Sequence, residues 1–179
     1  MVAPDRKRAR QLAGESLARG DATGWFERLY EEAAGDSEVV PWADMRPNPN
    51  FLSWAERCGL EGQGKRAADI GCGLGDNAEE LARRGFEVVA FDVSKTAIDW
   101  CRRRFPQSRV EYEVADLLAL PLAWQRAMAF VLETYTIQVL QGDARKRAID
   151  CIAGLVARGG TLLVIARGRD NDEPGGQMP

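Results

Sequence analysis

Ala67-Ala68-Asp69-Ile70-Gly71-Cys72-Gly73-Leu74-Gly75 decides the architecture of this chain. The spacing predicts a short buried strand, an abrupt glycine-rich turn and the start of a helix. A strand that feeds a helix N-terminus through small residues makes a pocket of backbone N–H groups. Glycines at alternate positions keep that pocket open, because no Cβ stands between the backbone and a ligand.

On the C-terminal side of the turn, strands and helices alternate. Strands are expected at 66–70, 86–91, 109–114, 127–132 and 161–166. The helices between them carry one apolar face each: Ala78, Leu81 and Ala82; then Ala97, Ile98, Cys101 and Phe105 behind a Ser94 cap; then Ile149, Ile152, Leu155 and Val156 from an Asp143 cap to Ala157. Gly159-Gly160 is expected to turn the last helix into the fifth strand. This pattern predicts an α/β fold, a Rossmann-like, doubly wound and mostly parallel sheet of about five strands, with an N-terminal helical segment. Ligands in such sheets bind beyond the carboxyl ends of the strands, where the strand order reverses. Asp92, Asp116, Glu133 and Arg167 end four of the strands and share the rim with the glycine turn.

The first 60 residues read differently. Two helices are expected, at 4–19 and 25–34, the second capped by Asp21 or Thr23. Residues 39–50 hold three prolines, Pro41, Pro47 and Pro49, and form a rigid irregular loop. Trp42 and Arg46 lie in it, either as packed connector and solvated charge or as a lid over a site. A short helix follows and ends near Gly59. Residues 1–60 are therefore expected as a helical and lid segment, and 61–179 as the ligand-binding part of one structural domain.

Composition narrows the chemistry. The 179 residues, 45% hydrophobic and 28% charged, suit one globular domain with a real core. Formal net charge is -3, which gives no electrostatic pull toward nucleic acid. No apolar run approaches the roughly 20 residues of a membrane span, and no h-region follows the basic N-terminus. A cytoplasmic location is expected. Cys58, Cys72, Cys101 and Cys151 stand far apart and suit thiols in a reducing compartment. With no histidine in the chain, His-based triads and His metal ligands are excluded, and no metal site is expected.

The glycine spacing then bears on the ligand. A dinucleotide fingerprint needs a glycine at position 76, where this chain has Asp76. An acid there competes with a pyrophosphate for the helix N-terminus. No Gly-Lys-Ser/Thr follows, so a Walker loop is excluded. S-adenosylmethionine fits better: Asp69 and the turn can hold its amino-acid end, and a ribose and adenine remain for the later strand ends.

Asp69 to Gly75 resembles the first motif of the class I S-adenosylmethionine-dependent methyltransferases. The resemblance continues in order. Asp92 matches the acid that takes both ribose hydroxyls, Asp116 in Val114-Ala115-Asp116-Leu117 the acid beside the adenine amine, and Leu155 to Leu163 the helix–Gly-Gly–strand segment. It implies cofactor contacts at Asp69, Gly71, Cys72, Gly73, Gly75, Asn77, Asp92, Val93, Asp116, Leu117 and Glu133. Glu133 and Tyr135 are the implied catalytic pair, taking or orienting a proton of the acceptor, and Trp42, Arg46 and Arg167 close the site. The N-terminal part, with its Pro-Trp loop, is similar to the thiopurine-methyltransferase-like small-molecule group.

Two departures from the family pattern stand out. The family opens its fourth strand with an aspartate, where this chain has Arg126-Ala127. The family's sheet also ends in an antiparallel hairpin, whereas this sequence ends about a dozen residues after the fifth strand. Leu162-Leu163-Val164-Ile165 is then expected at an open edge, where a second copy of the chain could pair. The function expected is methyl transfer to a sulfur, oxygen or nitrogen of a small molecule. The alternatives are a catalytically silent S-adenosylmethionine-binding module, a truncated methyltransferase, or a nicotinamide-dependent oxidoreductase, against which Asp76 speaks.

Overall fold

The computed structural model describes residues 6–168. Its sheet has five parallel strands in the order β3-β2-β1-β4-β5: β1 Arg66–Ile70, β2 Glu87–Asp92, β3 Glu111–Val114, β4 Met128–Thr134 and β5 Val156–Ile165. The strand order reverses between β1 and β4, where Ile70 lies opposite both Phe91 and Glu133. The carboxyl ends of these strands therefore meet beside the glycine turn, as the alternating pattern predicts.

Period-two alternation sorts the strand residues between two cores. On one face Ala67, Val88, Ala90, Phe130 and Leu132 pack against Phe51 and Ala55 of α3 (Pro49–Arg57), Ala78 and Leu81 of α4 (Asp76–Arg83), and Ile98 and Cys101 of α5 (Lys95–Arg104). On the other, Ala68, Ile70, Val89, Phe91 and Val131 meet Ala148, Ile152 and Leu155 of α6 (Gly142–Leu155). Ser94 caps α5 as expected, its Oγ accepting from Ala97 N at 3.0 Å.

The N-terminal helices α1 (Lys7–Ala18) and α2 (Gly24–Ala33) share a smaller core built on Leu12, Trp25 and Leu29. Asp21 rather than Thr23 supplies the α2 cap, its Oδ1 accepting from Thr23 N and Gly24 N. Glu27 ties α2 to the sheet domain. Its carboxylate accepts from the Ser94 and Thr96 hydroxyls and from Thr96 N, at 2.5, 2.8 and 3.1 Å. Burial raises the Glu27 pKa, but the Ser94 and Thr96 hydrogen bonds outweigh it and leave the group below its ordinary value.

The structure corrects both ends of the last helix: it starts at Gly142, so Asp143 lies in its first turn and is not its cap. α6 stops at Leu155 instead of Ala157, and β5 begins at Val156, opposite Met128. Residues 157–160 bulge before pairing resumes at Thr161 with Phe130. Gly159-Gly160 is thus inside a bulged strand rather than a turn between elements. β5 forms the sheet edge among the described residues, with Leu162 39% and Val164 44% exposed. Among the described residues no helix is long and apolar enough to cross a membrane.

Candidate active site

A cavity of about 440 Å³ opens above the carboxyl ends of the strands. The glycine turn forms its floor. Gly71, Gly73 and Gly75 all take positive φ, +60°, +54° and +87°. The turn's polar groups are held by neighbouring elements. Cys72 N donates to Phe91 O at 3.0 Å, Cys101 Sγ donates to Gly73 O at 3.2 Å, and Arg104 donates to Leu74 O.

Asp92 joins the turn to β2. One carboxylate oxygen accepts from Gly73 N at 3.0 Å and the other from Ser94 N at 2.9 Å. The residue is 7% exposed and lines the cavity. Burial is the largest influence on its carboxyl and raises the pKa to about 6, against the pull of the Ser94 and Gly73 hydrogen bonds. Val93, Asp116 and Leu117 continue this wall, with Asp116 Oδ1 accepting from Leu118 N at 2.8 Å.

Other expected residues take different places. Gly75 is off the cavity wall. A Cβ there would lie 2.5 Å from the Tyr112 hydroxyl, which donates to Glu79 at 2.7 Å, so glycine at this point serves packing and the left-handed backbone. Gly75→Ala is expected to destabilise the chain by about 2–3 kcal/mol in urea unfolding; an unchanged midpoint would refute this.

Asp69 lies beneath the turn, 1% exposed and off the wall, with Oδ2 unpartnered and a hydrogen bond from Ala78 N. Burial first, then Asp92 and Glu133, pushes its pKa up to about 8. Glu133, 0% exposed, is also off the wall. Its Oε1 accepts from Thr136 N at 2.5 Å and Ile137 N at 2.9 Å, and burial raises its pKa. In this arrangement Glu133 Oε1 holds the loop after β4, where the chain folds back at Thr136, and its buried Oε2 has no partner.

That loop carries Tyr135 onto the wall in the left-handed region, φ +63°, which costs a non-glycine residue about 1–2 kcal/mol. Tyr135 N donates to Ile165 O at 2.9 Å, and Thr136 Oγ1 to Ile70 O at 3.3 Å. Thr136 also explains Gly71, whose Cβ would lie 2.4 Å from its Oγ1.

The proline-rich loop roofs the cavity. Trp42 Nε1 donates to the Tyr30 hydroxyl at 2.8 Å, and the indole packs edge-on against Trp25, Phe26 and Tyr30. Trp42 is thus both packed connector and cavity wall. Asn48 N donates to Asn77 Oδ1 at 2.8 Å, which fixes the loop to the first turn of α4. Arg46 and Arg167 line the cavity too. Tyr30, Asn48 and Thr136 were not among the expected site residues. Tyr30 shares one side of the second helix with Trp25, Phe26 and Leu29.

Asp76 lines the cavity but is closed by Arg104 in a bidentate pair, 2.9 and 2.8 Å. Its charge is largely neutralised there, so the sequence argument that it repels a pyrophosphate loses most of its force. The acids left facing this part of the cavity are Asp92 and Asp116.

A methyltransferase-domain model matches residues 67–160, more than half of the chain. The chain belongs to the methyltransferase-domain family. This methyltransferase-family chain is 32% identical over 144 residues to a ubiquinone biosynthesis O-methyltransferase of Alkalilimnicola ehrlichii, across 75% of this chain and 58% of that protein. It is 44% identical over 57 residues to a magnesium-protoporphyrin O-methyltransferase of Rhodobacter capsulatus, across 30% of this chain and 25% of that protein. The chain thus spans little more than half of one relative and a quarter of the other. In fold it matches the glycopeptide N-methyltransferase MtfA complexed with S-adenosylmethionine, with TM-score 0.55, 20% identity, and coverage of 64% of this chain and 52% of that one.

Proposed function

We propose that this chain is an S-adenosylmethionine-dependent methyltransferase acting on a small molecule, with oxygen the favoured nucleophile. The observation that carries the reading is Asp92: a cavity-lining carboxylate whose two oxygens are fixed by Gly73 N of the glycine turn and by Ser94 N. Two vicinal hydroxyls of a ribose need such a two-oxygen acceptor. Asp116 and Leu117 then suit the adenine, Val93 the sugar edge, and Gly71, Cys72, Gly73 and Asn77 the amino-acid end. The acids on this wall favour a ligand with cationic groups. Two relatives whose names specify O-methyl transfer support the choice of oxygen.

When bound, S-adenosylmethionine supplies an activated methyl group. The chain's own residues have the lesser tasks of alignment and desolvation, which suits a chain without histidine. Trp42 excludes water from above, and Tyr135, held in its strained conformation, offers its hydroxyl to the acceptor's proton. Glu133 is a positioning residue acting through the Thr136 and Ile137 backbone.

Calorimetry with S-adenosylmethionine and S-adenosylhomocysteine tests the reading. Binding in the micromolar range is expected, and folded protein that binds neither below about 1 mM refutes it. The burial of Glu133 favours one second reading, a module that holds the cofactor without turnover. A single methylated product from a screen of phenols, carboxylic acids, thiols and amines rules that out.

A further inference from the structure

The cavity is polarised. Its β2–β3 side presents Asp92 and Asp116, whereas Arg6, Arg46 and Arg167 also line it. The three arginines come from separate parts of the chain: the residue before α1, the proline-rich loop, and the second residue after β5. Arg167 is placed by its backbone, whose N–H donates to Gln138 Oε1 at 3.0 Å. Among the described residues none of the three makes an ion pair.

Arg6 is half-buried. Its pKa is held below the ordinary value by burial first, then by the charges of Arg167 and Arg10, with Asp44 opposing. Asp44 also lines the cavity, one acid against the three arginines there. Arg167 is exposed beside Arg6, and two like charges lining one cavity cost free energy that an oxyanion between them recovers. Guanidinium forks match a carboxylate or phosphate in a bidentate way that a neutral group does not satisfy.

We infer that Arg6 and Arg167 form a receptor for an anionic group, carboxylate or phosphate, on the methyl acceptor, with Arg46 at its rim. The inference rests on the proposal that this cavity takes the acceptor. It makes Arg6 a specificity residue supplied by the N-terminal segment, outside the part of the chain that the family model matches.

The full chain, in about 150 mM NaCl to screen diffuse attraction, is titrated calorimetrically with benzoate, phenyl phosphate and neutral benzamide, each with and without S-adenosylhomocysteine. At least one anion is expected to bind about tenfold more tightly than benzamide, and the tighter of the two names the group. In the Arg6→Gln/Arg167→Gln variant that preference falls to within about twofold, and Arg6→Lys/Arg167→Lys restores part of it. The thermal midpoint of each variant checks the fold. Arg6 makes no side-chain cap bond to α1, so no large shift is expected. Equal binding of the three probes, binding of none, or a preference that survives the double glutamine variant overturns the inference. Anion preference without S-adenosylhomocysteine binding overturns the cofactor reading alone. S-adenosylhomocysteine binding without anion preference overturns this inference alone.

Discussion

Asp92→Asn weakens S-adenosylhomocysteine binding by about 100-fold, the loss expected when two charge-assisted hydrogen bonds to the ribose become one neutral bond and one donor facing a donor. The change also disturbs the turn. An asparagine has one oxygen for two backbone donors, Gly73 N and Ser94 N, so stability falls by about 1–3 kcal/mol. The pH profile separates these effects. With a folded-state pKa of about 6, the wild-type carboxyl holds a proton below that pH and must release it to accept both hydroxyls. Wild-type affinity therefore rises with pH, by up to about tenfold per unit, until pH 6, and is level above it. The variant, with nothing to ionise, loses that rise. Calorimetry between pH 5 and 8 reads both, and an unchanged affinity in the folded variant refutes the ribose assignment.

Much of the fold was legible because each strand and its turn agree locally. Ala67 to Gly75 carries its own strand, turn and helix start, and the structure places them as expected. The α6–β5 junction was not. Its glycines look like a connector in sequence, but Val156 already pairs with Met128, and a Cβ on Gly160 would lie 2.9 Å from Met128 O. Long-range pairing with β4 overrides the local turn preference there, and nothing within the segment signals it.

The site divides in the same way. Asp92 and Asp116 follow from strand ends, and both line the cavity. Strand periodicity assigns a face, but it does not say whether the next loop folds back over a side chain. For Glu133 it does: Thr136 and Ile137 return to the carboxylate, and the residue leaves the wall. Asp76 is a longer-range case. Arg104, 28 residues away, neutralises it, and helix α5 brings the two together only through the sheet. Glu27 and Tyr30 belong to a helix, and Arg6 directly precedes one, whose pattern shows an apolar side and nothing about what the polar residues reach.

Asp69→Asn raises stability, and the gain is concentrated between pH 6 and 8. Folding buries this carboxyl at 1% exposure with one oxygen unpartnered, and raises its pKa from an unfolded value near 3.8 to about 8. The folded chain therefore holds a proton that the unfolded chain releases. Stability falls as pH rises from about 4, and the loss is complete above about 8. Asp92, with its pKa of about 6, contributes to the lower half of that window only. No histidine titrates in the upper half, and Glu133, whose carboxyl burial also raises, is common to wild type and variant. Wild-type stability is expected to fall more steeply than the variant's between pH 6 and 8, by about 1 kcal/mol per pH unit. The net gain at pH 8 is about 2 kcal/mol: an asparagine oxygen can still accept from Ala78 N, but its amide leaves a donor where Oδ2 had no partner. Urea unfolding at half-unit pH steps reads the slope directly. A wild-type profile already level between pH 6 and 8, or a variant that keeps the wild-type slope, refutes the argument. A shallower variant profile with weakened S-adenosylhomocysteine binding places Asp69 behind the ligand's amino-acid end, where its buried proton costs stability in the free chain and a cationic ligand favours its release.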